Sequence, residues 1–171
     1  MKPIWLRVSP AIRSFILGEV ERQYHPIGTM EYARRVEWMT DAWMWAGVRS
    51  IGHAKPTVED MLHIAAMIEP GINRDGYRTC RIWIGGHEGT SPPAVSSEVE
   101  QLWRHMGEVR AVQGKGRVFE AMTADEFYLE FERIHPFGDG NGRTGKVLHN
   151  WLLGTLDDPV LVADYFGAGN P

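Results

Sequence analysis

The chain has very little sulfur chemistry to work with: among its 171 residues there is one cysteine, Cys80. A single thiol makes neither an intrachain disulfide nor a multi-thiolate zinc site, so the fold rests on its core and a reducing cytoplasm is the expected setting. No apolar run approaches the roughly 20 residues of a membrane helix. Lys2, Arg7 and Arg13 break the N-terminal stretch where a signal peptide would carry its apolar core. Delivery as a secreted effector by a signal-independent route stays compatible with this. Positive charge is also short. The formal net charge is -4, which gives no electrostatic reason to bind nucleic acid or anionic lipid directly and confines any phosphate recognition to a local pocket.

What remains is ordinary globular material. Hydrophobic residues make up 43% and charged residues 23%, and the length suits a single domain over residues 1–171 with a real core. Ser9-Pro10 reads as an N-cap followed by proline at the first helical position, and Ile12, Ile16 and Val20 continue at helical spacing, predicting a helix over 9–25. From Glu31, the positions Val36, Met39, Trp43 and Ala46 predict a second helix, ending at Gly47. Thr57 with Asp60 opens a third, whose Met61, Ile64, Ala65 and Ile68 face inwards. Ser97 with Glu100 reads as a capping box for a fourth. Residues 111–118 read as a linker. Thr123 with Glu126 caps a helix whose Phe127, Phe131 and Ile134 lead to His135, and Val147, Leu148, Trp151 and Leu152 mark another, ending near Gly154. The tail, 156–171, is irregular and reads as an extended arm.

One stretch breaks the helical pattern. In YRTCRIWIGG, 77–86, Cys80, Ile82 and Ile84 alternate with Arg81 and Trp83, predicting a short strand. The glycines that follow and Pro92-Pro93 limit its return, so residues 77–93 read as a small β-hairpin flap with Arg78 and Arg81 on a solvated face. Most of the tryptophans, 38, 43, 45, 103 and 151, fall on apolar helix faces and read as core; Trp83 and Ile84 do not. His53, His63, His87, His105 and His149 lack partners at metal-ligand spacing and read as structural.

Residues 135–143, HPFGDGNGR, concentrate a different chemistry between two predicted helices. Pro136 ends the first helix, and Gly138, Gly140 and Gly142 supply backbone freedom for a shaped loop. The next helix starts near Asn141 or Gly142, where unpaired amides and the helix dipole favour a phosphate. Arg143 in that first turn conflicts with the dipole unless an anion is bound, and its planar guanidinium grips two oxygens at once. Asp139 reaches phosphates usefully through a divalent cation such as Mg2+. His135 can accept a proton near neutral pH.

The run resembles the signature of the Fic domain family, H-P-F-x-[D/E]-G-N-[G/K]-R, at every specified position. The upstream flap and the following helix agree with it, and the likeness extends over about residues 31–155. It implies a mainly α fold, a Fic-like helical bundle with the small flap, and transfer of AMP from ATP to a Ser, Thr or Tyr hydroxyl of a target protein. It makes His135 the base and Asp139 the Mg2+ ligand. Gly138, Gly140, Asn141, Gly142 and Arg143 become the phosphate cradle, and Arg81, Trp83 and Ile84 a docking strand for the target. Phe137 is an anchor of the loop in the core. Alternatives within the likeness are a Doc-like kinase, disfavoured by Gly142 where that branch has lysine, and transfer of UMP, GMP or phosphocholine. A catalytically inactive nucleotide-binding module is a further alternative.

Two departures concern regulation. Lys146 stands where many members have a second arginine, keeping the charge without the bidentate fork. Many members also carry an inhibitory [S/T]-x-x-x-E-[G/N] helix whose glutamate pairs with that arginine; the nearest match, Ser96 to Gln101, is incomplete. Either a separate antitoxin-like partner inhibits the enzyme, as in toxin–antitoxin pairs, or it is not inhibited this way.

Overall fold

A computed structural model of the chain describes residues 8–23, 27–52, 54–107, 109–112 and 118–162; the side chains of His87, 109–112 and 118–121 are outside that description. It is mainly helical. The helices are α1 (Pro10–Arg22), α2 (Met30–Arg49), α3 (Val58–Ile68), α4 (Val95–Gly107), α5 (Ala124–Ile134) and α6 (Asn141–Leu153). Two small antiparallel hairpins accompany them: β1 (Trp83–Ile84) with β2 (His87–Glu88), and β3 (Val109–Val112) with β4 (Val118–Ala121).

The helix starts follow the expected chemistry. Ser9 accepts from the Ile12 amide, and both Thr57 with Asp60 and Thr123 with Glu126 form reciprocal capping boxes. Other boundaries differ. Gly47 does not end α2, which runs to Arg49; within a helix glycine costs only about 1 kcal/mol relative to alanine, and tertiary packing overrides that. The expected capping box at Ser97 is not one: α4 begins at Val95, out of the short 3-10 turn Pro92–Ala94, and the Ser97 hydroxyl donates to the Ala94 carbonyl. The strand expected from residue 77 narrows to Trp83–Ile84, because the backbone before it is engaged elsewhere. The stretch 111–118, expected as a linker, takes in the end of β3 and the first residue of β4.

Helix α6 runs through the middle, packed on α2, α3 and α5. From Arg143 to Trp151 every residue of it is buried. Gly145 permits this closeness to α5, since a Cβ there would lie 3.0 Å from both Phe131 and Tyr128. The core around it joins Val36, Met39, Trp43, Ile64, Ile68, Leu102, Phe127, Phe131, Phe137 and Leu148. Trp43, Trp103 and Trp151 pack there, each donating its ring N–H to a backbone carbonyl, of Leu156, Pro56 and Ala54 respectively. The start of the tail is held by Asn150, whose Oδ1 accepts from the Val160 amide at 2.8 Å and from the Thr155 hydroxyl at 2.7 Å; residues 163–171 lie outside the described part. Among the described residues no helix is long and apolar enough to cross a membrane.

Candidate active site

Helix α5 ends at His135, which takes a left-handed conformation (φ 50) and is the one non-glycine residue to do so among those described. Such a backbone is uncommon for a side-chain-bearing residue and points to a position fixed by its surroundings. Its amide donates to the Phe131 carbonyl, and its own carbonyl accepts from Arg78 Nε at 2.7 Å. The ring Nδ1 lies 3.3 Å from the Glu132 carbonyl oxygen, which assigns the proton to Nδ1 and leaves Nε2 with its lone pair. Burial lowers the imidazole pKa to about 4, reinforced by Arg78 and opposed by the Glu132 carbonyl and Asp139. The ring is therefore neutral across the physiological range and able to accept a proton.

The loop between α5 and α6 is closed by one side chain. Asn141 accepts from the Phe137 amide through Oδ1 and donates to the Phe137 carbonyl through Nδ2, each at 2.9 Å. Phe137 is fully buried between Tyr77 and Phe131, as expected of an anchor. The three glycines divide their reasons. Only Gly140 (φ 73) uses the left-handed region. Gly138 is required by space, since a Cβ would lie 2.8 Å from an Ile72 methyl. At Gly142 a Cβ would have no neighbour nearer than Gln23 Nε2 at 3.7 Å, so its absence leaves the first turn of α6 open to approach.

That first turn has no side-chain cap. Arg143 beneath it is fully buried, and its Nε and Nη1 have no hydrogen-bond partner. Buried unpaired donors on a cation are costly, and they suit a ligand rich in anionic oxygens. Burial pulls the Arg143 pKa down, while Glu69 and Asp139 hold it up. Its Nη2 bonds Glu69, which also bonds Arg35. Arg35, on α2, further reaches Glu31 at 3.1 Å and Asp139 at 3.4 Å.

Asp139 keeps a half-exposed carboxylate. Oδ1 accepts from the Gly140 amide at 2.6 Å, while its carbonyl accepts from Asn73 Nδ2 at 2.9 Å. No cluster of three potential metal ligands is found among the described residues. A lone accessible carboxylate beside an uncapped helix start fits Mg2+, which takes one protein carboxylate and fills its shell from phosphates and water. Lys146, one turn on, is 3% exposed, and its Nζ lies 2.7 Å from Glu19 of α1.

On the flap, Arg81 is exposed and pairs with Glu88 at 3.1 Å, Trp83 is 64% exposed, and Ile84 is half-buried. Arg78 corrects the expectation of a solvated face: it is buried beneath the flap, donating to carbonyls on two sides of the site. The Ser96 to Gln101 segment lies on α4, where Glu98 bonds Arg133 and Thr90. His149, read as structural, is buried with Nε2 2.6 Å from Asp125; His63 packs at a tilt against Trp45; His53 and the His87 side chain lie outside the described part. Glu19, Arg35, Glu69, Asn73 and Arg78 are not legible as site residues, because each reaches the loop or α6 across tens of residues of sequence.

Residues 55–153 match the Fic/DOC family. The chain is 27% identical over 110 residues to the protein adenylyltransferase Fic of Aedes aegypti, covering 62% of this chain and 21% of that protein. It is 28% identical over the same shares to the enzyme of that name from Culex quinquefasciatus. It thus spans about a fifth of the length of these relatives. Its fold is similar to a fragment of Fic-1 from C. elegans, with a TM-score of 0.58 and 19% identity over 90% of this chain and 46% of that one. The uncapped turn of α6, the buried arginine beneath it and the neutral histidine at the loop's entrance thus sit within a matched segment longer than half the chain, and the protein belongs to the Fic/DOC family.

Proposed function

We propose that this chain is a protein nucleotidyltransferase that moves AMP from ATP to a Ser, Thr or Tyr hydroxyl of a target protein, with release of pyrophosphate. The observation that carries it is the buried Arg143, with two donors unpaired, under an uncapped helix start. The amides of residues 141–143 and the Arg143 guanidinium bind the phosphates, and charge developing there meets fixed donors. His135 Nε2 takes the proton from the target hydroxyl as its oxygen bonds to the α-phosphorus; the bond to the bridging oxygen breaks and pyrophosphate leaves with the electron pair. Asp139 would hold Mg2+, which would supply charge neutralisation for the phosphates. The flap edge at Trp83 and Ile84 pairs with an extended target segment, with Arg81 beside it.

Lys146 is the second phosphate cation in this reading, and Glu19 competes for it. That buried pair supports a restraint built into α1 over the Ser96 to Gln101 segment, whose Glu98 is engaged elsewhere. A separate antitoxin-like inhibitor is not required.

The test is label transfer to protein. Label from α-labelled ATP is expected on target proteins with the parent chain and none with His135→Ala. Label from γ-labelled ATP alone would mean a kinase, and ATP binding with no labelling across lysates would mean an inactive module.

A further inference from the structure

Among the described residues, Arg78 is a buried guanidinium that pairs with no carboxylate; it is satisfied by main-chain oxygens. Nε donates to His135 O at 2.7 Å and Nη2 to Ile134 O at 3.3 Å, both on the turn that carries the base. Nη1 donates to Cys80 O at 2.8 Å and Nη2 to Thr90 O at 2.5 Å, on the two sides of the flap's base. Its own amide donates to Pro136 O at 3.0 Å. One residue thus touches three consecutive carbonyls of the catalytic turn and both legs of the flap. The hairpin above these legs has only two paired residues on each strand, too few to fix its own angle to the helices.

We propose that Arg78 is a positioning residue that couples the target-docking flap to His135, setting the distance between a hydroxyl held on the flap edge and the imidazole that deprotonates it. The proposal rests on the nucleotidyltransferase reading. Four donor contacts from the planar guanidinium, with a fifth from the Arg78 amide, hold both parts in one frame. His135, in a left-handed conformation, depends on such external bonds to keep that backbone. Lysine at 78 would retain the charge while losing the fork, which separates geometry from electrostatics.

The test uses the full chain, with Arg78→Lys and Arg78→Gln. Transfer from α-labelled ATP to whole-lysate protein is measured against ATP concentration. Both variants are expected to keep the ATP KM within about twofold while the maximal rate falls on the order of 100-fold, the cost of about 1 Å of misplacement. NMR titration of the His135 ring is the second readout. The parent midpoint is expected near pH 4. Arg78→Lys should leave it there, and Arg78→Gln should raise it, because removing a neighbouring positive charge favours the protonated ring. Glu132 and Asp139, which also face the ring, are unchanged in both. In Arg78→Lys the amides of 82–90 should shift together with His135.

Unchanged maximal rate in a folded variant overturns the proposal. So does an equal loss in KM and rate that follows thermal stability, or an amide response confined to the loop or to the flap. If Arg78→Gln does not fold, Arg78→Lys decides. If the parent shows no His135-dependent labelling, it is the nucleotidyltransferase reading that fails, and the amide shifts still decide whether Arg78 joins the two parts.

Discussion

The loop that follows His135 in the chain and the flap that precedes it are built in opposite ways. The loop is locked from within. Asn141 ties both polar groups of the Phe137 backbone, Asn73 holds the Asp139 carbonyl, and Phe137 is sealed in the core. The flap has two paired residues per strand, an exposed Trp83 and an edge with no strand beside it among the described residues. Groups that act on the same phosphates in every turnover gain from preorganisation, since positioned donors need no reorganisation at the transition state. A surface that meets a protein chain gains from open main-chain groups, which pair with an extended segment of many sequences. The loop is fixed by its own bonds; the flap keeps an open edge.

The hardest way to break this contrast is at the loop's cation. Arg143→Ala removes the guanidinium and strands Glu69, which is left facing Arg35 alone. Label transfer from α-labelled ATP is expected to fall by about 10³-fold or more, as when a phosphate-stabilising arginine is lost. Loss of less than tenfold would show that the buried donors do not meet the phosphates.

A smaller change sharpens the picture of a loop ready but restrained. Glu19→Gln keeps the size of the side chain and removes the charge opposite Lys146. Removing one charge of a buried ion pair lowers stability, by about 3 kcal/mol if no phosphate replaces it. The transfer rate is nonetheless expected to rise, by roughly tenfold, because 1.4 kcal/mol of competition is removed from the phosphate site. Saturating ATP should restore much of the lost melting temperature, by mass action on the folded state. A variant that is less stable and no faster, with ATP giving no added protection, would place the Glu19 and Lys146 pair among ordinary core contacts.

The two regions also differ in how far sequence order reveals them. Loop, base and helix start are contiguous, so HPFGDGNGR carries its chemistry in nine residues, and the capping boxes at Thr57 and Thr123 mark their helices for the same local reason. What holds the loop is not local. Glu69 reads as the end of α3, Arg35 as a polar face of α2 and Glu19 as a charge on α1; Glu69 lies 74 residues from Arg143 and Arg35 104 from Asp139, Glu19 is further still from Lys146, and nothing in their neighbourhoods marks the meeting. Arg78 escapes a local reading for a related reason. Alternation through 77–86 describes a strand with a wet face, but the carbonyls of a histidine turn 57 residues later claim its guanidinium. The β3 and β4 hairpin shows the same limit: AVQGKGRV has turn residues in its middle and short apolar ends, which composition alone does not separate from a linker.

The gentlest substitution falls on the flap and tests its half of the contrast. Trp83 is 64% exposed and supports no described core contact, so Trp83→Ala should change stability by less than about 0.5 kcal/mol, as for surface positions generally. If the flap edge receives the target, the loss of an aromatic contact there weakens docking by about 1 kcal/mol, raising the KM for protein acceptors about fivefold while the KM for ATP stays fixed. Both constants can be read from one series of label-transfer assays in which acceptor and ATP are varied in turn. Main-chain pairing would survive the substitution, which is why the effect is small and falls on one substrate only. An equal rise in both constants would mean that Trp83 shapes the nucleotide side, and the flap would then belong to the same preorganised unit as the loop.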